Sequence, residues 1–420
     1  MRGLPTPRRV QGTYYVLTLG STLAASFIWG INTLFLLDAG LSNFEAFAAN
    51  AFYTVGVLVF EIPTGVVADT LGRRASYLLG SATLAVTTLL YWLLWLWSAP
   101  FWGWAVVSLL LGLGFTFFTG ALDAWLVDAL HATGYEGRLE TVFGRSLVVS
   151  GAAMLTGSVL GGVVAQLADL GTPFLVRAGV LVGMIAVAGL LMHDLGFEPA
   201  RGEGPLRATR SVLVASWRHG LGNAPVRWLL LASPFTAGVG FYVFYALQPH
   251  LLALWGDPDA YSVAGLAAAL LSGGAMLGGL IAPLVRRLFR RRTSTIVLAA
   301  VTSALALIAL GLVQSFWAAV ALIAVWGVMS AVDDPVRRAY LNDMVPSKQR
   351  ATVLSFDSLL GSGGSSIAQP FLGRSADLGG YGLSLLLSGA LTAVAVPFVL
   401  LSRAQRSPAD TREEAVPDPA

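Results

Sequence analysis

Apolar residues run through this chain in blocks longer than a globular helix or strand uses. Stretches without a single Asp, Glu, Lys or Arg cover residues 10–37, 75–122, 146–168, 228–256, 260–285, 293–332 and 378–402. A helix that crosses a bilayer needs about 20 apolar residues. Runs 75–122 and 293–332 are therefore each too long for one crossing. Each carries a turn signal, Ser98-Ala99-Pro100 in the first and Gln314-Ser315 in the second. The pattern predicts twelve spans, near 14–37, 44–67, 75–97, 102–128, 141–167, 174–192, 228–253, 261–286, 294–312, 316–334, 352–372 and 381–401. No small-residue cleavage site follows the first span, so no removed leader is expected.

Composition explains why these runs face lipid. The chain is 56% apolar and 12% charged, against roughly 25% charged in a soluble domain, so polar residues cannot cover its surface. With the N-terminus placed inside, all but Arg177 and Arg374 of the 26 Lys and Arg fall on inward loops or tails. Arg286-Arg287 and Arg290-Arg291-Arg292 are the clearest case. The net charge of +3 thus reads as membrane topology and headgroup contact, with both termini cytoplasmic and no nucleic-acid partner. The absence of cysteine excludes disulfides and thiolate chemistry. No histidine pair has metal spacing, and neither a Walker-type loop nor a Gly-x-Ser-x-Gly elbow occurs. No cofactor or metal is expected, and the chain does not read as an enzyme, a hydrolase or an ATP-driven pump.

A polar stretch near 193–227 divides six spans from six. It predicts an N-terminal six-helix bundle over 1–195, a cytoplasmic linker over 196–226 with a surface helix around 211–219, a C-terminal six-helix bundle over 227–403 and a cytoplasmic tail over 404–420. The halves echo each other at nearly one offset. Ala121-Leu122-Asp123 returns as Ala331-Val332-Asp333, and Ala168-Asp169-Leu170-Gly171 as Ala376-Asp377-Leu378-Gly379. Gly65 to Arg74 returns faintly as Gly278 to Arg287, with Ala282 for Asp69 and Val285 for Gly72.

The most informative segment is Gly65-Val-Val-Ala-Asp69-Thr-Leu-Gly72-Arg73-Arg74, between the second and third spans. An aspartate at a helix end beside hydrocarbon needs a partner, and the glycines allow close approach and reversal. The segment resembles the loop between helices 2 and 3 of the major facilitator superfamily, G-x-x-x-D-x-x-G-R-[RK], at every fixed position. That resemblance covers residues 10–403. It implies an all-α membrane protein with twelve transmembrane helices in two pseudo-symmetric six-helix bundles, related as parallel repeats. It also implies a secondary transporter, working by rocking of the halves, that carries a small-molecule substrate, most simply as a monomer. The turn is expected to latch, with Asp69 facing the start of span eleven near Thr352 and Arg73 pairing with Asp128.

Ionisable groups at membrane depth are the candidates for coupling. Thr116, Thr119 and Asp123 are spaced three and four apart, which places them on one face of a continuous span four. Asp123 is then the foremost coupling residue, with Asp333 as its repeat partner. Glu61, beside Pro63, and Asp357, above the Gly361, Gly364 and Ser365 face, are further candidates. Arg145 is a natural counter-charge for Asp123 or Asp128.

Span five carries a second resemblance, to the glycine pattern of the superfamily's antiporters. It has Gly144, Gly157, Gly161 and Gly162, with Ala153 and Ser158 in place of a glycine and the proline; close helix packing explains the same pattern. The arginine that drug/proton antiporters often carry in span four is replaced by Thr116. The end of span four, through Asp123, Ala124 and Asp128, instead resembles a bacterial branch near those antiporters, which implies a bacterial inner-membrane location. Aromatics cluster at Phe27, Trp29 and Phe35, at Phe115, Phe117, Phe118 and Trp125, and at Phe241, Tyr242, Phe244 and Tyr245. They suit either a greasy substrate pocket or lipid contact. His250, near Gln248, reads as a satisfied interfacial residue. Arg177 and Arg374 lie near the outer face, and the scarcity of buried cations disfavours strongly anionic substrates. The resulting expectation is proton-coupled efflux of a hydrophobic or amphipathic compound. Its alternatives are proton-linked uptake of a small metabolite and, more distantly, a transport-dead sensor or scaffold.

Overall fold

Inside a bilayer the backbone must satisfy its own polar groups, which favours helices. The computed structural model describes residues 5–197, 199, 220–346 and 349–411, and among them the ordered backbone is helical apart from one isolated bridge, Arg291 to Thr411. Ten helices are long and apolar enough to cross a membrane, and one bent pair forms an eleventh crossing. The last of the ten, Thr352–Ala404, has 53 residues. At about 1.5 Å per residue it exceeds twice a hydrocarbon core of about 30 Å. It leaves helical geometry at Gly379 and at Gly380, where φ is 73°, so it makes two passes. Twelve crossings result among the described residues, as the hydrophobic runs predict.

The first compact unit comprises Met1–Thr209 and Tyr245–Ala269. Its first crossing consists of α1 (Pro7–Trp29) and α2 (Asn32–Asp38), bent by 45°. α3 (Asn43–Leu71) starts from a capping box in which Ser42 and Glu45 satisfy each other's backbone N–H groups. α4 (Arg73–Leu96), α5 (Phe101–Thr116), α6 (Ala121–Ala132), α7 (Leu139–Leu167) and α8 (Thr172–Leu191) follow. The unit also takes the later part of α9 (Ala224–Trp255) and the start of α10 (Tyr261–Arg287). Phe35 anchors its core, stacked on Phe174 with centroids 3.8 Å apart and flanked by Tyr91 and Trp104. Leu147, Leu167 and Leu190 project outward, each more than 70% exposed, as residues in contact with lipid do.

The second unit comprises Arg210–Phe244 and Leu270–Ala420. It holds the rest of α9 and α10, with α11 (Arg292–Leu312), α12 (Phe316–Met344) and α13 (Arg350–Ala404). Small residues bring its helices together: Gly364 packs on Pro234, Gly311 on Gly382, and Gly389 on the backbone around Ala304. Beyond α13 the chain returns to α11, where buried Asp410 accepts from the Thr293 amide at 2.8 Å and from its hydroxyl at 2.9 Å. This caps orphan N–H groups at the start of α11.

Several boundaries differ from the sequence expectation. Span four is two helices, because Gly120 sits in left-handed geometry at φ 70°. Span ten runs on to Met344, beyond 334, through Pro335. The Arg338–Asp334 pair at 2.8 Å supports this polar extension at i,i+4 spacing. Tyr245–Ala269 groups with the first unit rather than with the C-terminal half. The surface helix expected at 211–219 lies outside the described residues.

Candidate functional site

The turn between α3 and α4 is built around Gly72, at φ 102° and ψ 156°, where any side chain would strike the Asp194 carboxylate. Asp194 accepts from the Arg74 amide at 2.9 Å, which gives the uncapped start of α4 an acidic partner. Sequence reasoning missed Asp194, which lies 120 residues downstream in a polar stretch. The Arg74 side chain donates to the Gly189 carbonyl at 2.6 Å. Arg73 pairs with Asp69 one helical turn back, and its Nε lies 3.9 Å from Asp128 of α6. The Arg73 guanidinium also sits over the Phe197 ring at 5.8 Å. One arginine therefore joins α3, α4 and α6.

Asp123 has different neighbours from those its spacing implied. With the helix broken at Gly120, Thr116 and Thr119 do not continue onto its face. Their hydroxyls donate to the carbonyls of Leu113 at 2.8 Å and Thr116 at 2.7 Å, and Thr119 also reaches Glu61 at 3.4 Å. Asp123 instead accepts from the Tyr14 hydroxyl at 2.7 Å, and that hydroxyl accepts from Ser146 at 3.2 Å. Arg145 is exposed and pairs with neither acid: Asp123 is held by tyrosine and Asp128 by Arg73. Three of the α7 glycines lie close against neighbouring helices. Gly157 meets Ser26, Gly161 the Phe27 carbonyl, and Gly162 the backbone of Tyr261 and Ser262, whereas Gly144 faces open space.

In the second unit, Arg337 of α12 is 5% exposed and is held by Asp357 of α13 at 2.6 Å and by the Leu229 carbonyl of α9 at 2.7 Å. Asp333, one turn earlier, has a buried Oδ1 with no hydrogen-bond partner. These three groups border a cavity of about 230 Å³ together with Ser233, Ser303, Ser330 and Thr392. Arg337 was missed because span ten was ended before Pro335. Its signal is the i,i+4 spacing from Asp333.

The first unit encloses a cavity of about 280 Å³ walled by Trp29, Tyr53, Tyr91, Phe115, Phe118 and Tyr245. Its polar members include Ser21, Thr22, Asn32, Asn50 and Arg177. Arg177, expected near the outer face, is 6% exposed among three tyrosines. The aromatic clusters divide accordingly. Trp29, Phe115, Phe118 and Tyr245 face the cavity; Phe27, Phe35, Trp125 and Tyr242 are packed; Phe241 is 45% exposed. Gln248 and His250 are buried rather than interfacial, and Gln248 joins the Thr33 amide and the Trp29 carbonyl at 3.1 and 2.5 Å. Arg374 is 62% exposed beside Asp377 at 3.9 Å.

Twelve helical crossings among the described residues, a charged turn after the second and ionisable groups buried among the helices define a polytopic membrane protein. The family model of the Major Facilitator Superfamily matches residues 14–293 and 235–419. The chain belongs to that superfamily, and it is a secondary transporter of this type rather than an enzyme. Among solved structures it resembles the nucleoside transporter NupG at 12% identity and TM-score 0.79, covering 94% of this chain and 99% of that one. The POT family transporter PepTSo aligns at 12% identity and TM-score 0.72 over 96% and 99% of the two chains. A D-xylose-proton symporter aligns at 13% identity and TM-score 0.68 over 94% and 96%. At such identities the likeness shows the fold alone. No curated protein sequence matches the chain.

Proposed function

We propose that this chain is a proton-coupled carrier of a small amphipathic molecule, working by alternating access in a bacterial cytoplasmic membrane. The observation that carries the proposal is the Asp333, Arg337 and Asp357 cluster. A buried ion pair beside a second carboxylate that lacks a hydrogen-bond partner is a group whose charge balance one proton can change. It opens on a cavity lined by hydroxyls, which gives water and protons a polar path. Asp123, held by Tyr14, is the corresponding acid of the first unit, and the Asp69, Arg73 and Asp128 chain serves as the gating latch.

The aromatic cavity of the first unit supports an amphipathic solute with a flat apolar part. Helix packing accounts for Gly157, Gly161 and Gly162 of α7, so these glycines carry no direction of transport. Uptake of a small metabolite is the second reading, favoured by the polar side chains in the same cavity. Proteoliposomes loaded with a pH-sensitive dye test the proposal. An imposed proton gradient should drive solute movement against its concentration, and solute should drive proton flux in return. The sign of that flux distinguishes efflux from uptake. Transport indifferent to any proton gradient would remove the coupling cluster from the mechanism.

A further inference from the structure

The first unit's cavity holds two buried hydrogen-bond donors without acceptors. Arg177 is 6% exposed, its Nε is buried without a partner, and it forms no ion pair among the described residues. Asn50 is 7% exposed; its Oδ1 accepts from Asn32 at 3.0 Å, and its Nδ2 is left without a partner. A guanidinium at membrane depth is normally paired with an acid or with backbone carbonyls, and a buried donor left unmade is destabilising. In the second unit the buried Arg337 has both an acid and a carbonyl. Arg177 has neither, and it borders space rather than packed atoms.

We infer that this cavity binds a small aromatic monocarboxylate, with the carboxylate on Arg177 and Asn50 and the ring between Trp29, Tyr53, Phe115 and Phe118. The inference rests on the transport reading and names its substrate class. A carboxylate supplies both missing features, a negative charge and several lone pairs in the plane that a guanidinium fork addresses. The phenols of Tyr53, Tyr91 and Tyr245 surround the charge, and aromatic faces accept a ring edge-on or offset. The volume, about 280 Å³, is at the small end of ligand pockets, which favours a small solute. A doubly charged phosphate would bring more charge than one arginine balances.

The test is a thermal-shift titration of the purified full chain with benzoate, phenylacetate and indole-3-acetate, each beside its neutral amide. Ligand bound only by the folded state raises the melting temperature with concentration. At least one acid should stabilise the protein while its amide does not. Arg177→Gln should abolish the effect, and Asn50→Ala should weaken binding by roughly tenfold. Arg177→Lys, which keeps the charge and loses the fork, should retain weakened binding; it stands in if the glutamine variant does not fold. Equal stabilisation by acid and amide, an effect that survives Arg177→Gln, or no response to any of the acids would each overturn the inference. Acid that binds through Arg177 but is never moved by a proton gradient in proteoliposomes would leave the site standing and overturn the transport reading. Proton-driven movement of a neutral solute in a protein that binds none of the acids would do the reverse.

Discussion

Arg337 and Asp357 lie 2.6 Å apart with side chains only 6% and 15% exposed, so α12 is tied to α13 by a charge pair largely removed from water. Removing one partner strands the other, which costs about 3–5 kcal/mol, whereas replacing both with apolar groups of similar size is often neutral. Arg337→Met should therefore lower the melting temperature sharply. Arg337→Met with Asp357→Leu should recover most of that loss without recovering proton-coupled transport. Thermal unfolding and dye-reported proton flux measure the two effects separately. A double variant that still couples protons would move the coupling site elsewhere.

Asp123 and Asp333 are sequence echoes in unlike surroundings, and their variants should diverge. Asp123→Asn retains an oxygen to accept from Tyr14, so its stability should change by less than about 1 kcal/mol. Asp333→Asn replaces a carboxylate whose buried Oδ1 has no hydrogen-bond partner, and it should be no less stable than the parent. Proton flux should fall at least tenfold in Asp333→Asn. A full rate in Asp333→Asn with loss in Asp123→Asn would reverse the assignment, back to the one that helical spacing alone suggested.

The crossings were legible because lipid imposes length and apolarity on whole segments, and a run of 48 residues such as 75–122 has few other uses. The turn at Gly72 was legible because positive φ and charge beside hydrocarbon admit few residue types. What remained hidden was direction. Thr116, Thr119 and Asp123 have helical spacing, yet one left-handed glycine at 120 cancels the inference, and an isolated glycine does not announce a break. Arg177, in the second turn of α8, could point to solvent, lipid or cavity. The tyrosines that α3, α4 and α9 bring around it decide, and no local pattern records that. Arg337 lay behind Pro335, which α12 carries within its helix.

Asp69 is half exposed and Asp128 a third exposed on either side of Arg73. Ion pairs that accessible are worth about 0–1 kcal/mol, so the chain of charges adds little to stability. Asp69→Asn should leave insertion and melting temperature nearly unchanged while transport falls at least tenfold. Counterflow in vesicles is the measurement. Normal transport in Asp69→Asn would reduce the turn to a topological signal.

Two glycines of the same α7 pattern should respond to alanine with opposite signs. A methyl group at Gly161 would overlap the backbone carbonyl of Phe27 on α1, whereas one at Gly144 meets nothing within 4 Å. Overpacking against backbone costs about 1–3 kcal/mol, since the carbonyl cannot swing aside as a side chain can. Alanine at an open helical position is instead worth about 0.5–1 kcal/mol over glycine, through the reduced freedom of the unfolded chain. Gly161→Ala should therefore melt below the parent protein in detergent, and Gly144→Ala at or above it. If transport persists in Gly144→Ala, the pattern serves packing at Gly161 and has no separate antiport role at Gly144. A Gly144→Ala protein that is stable yet inactive would show that this end of α7 must bend or close during the cycle, which the open space at Gly144 would then accommodate.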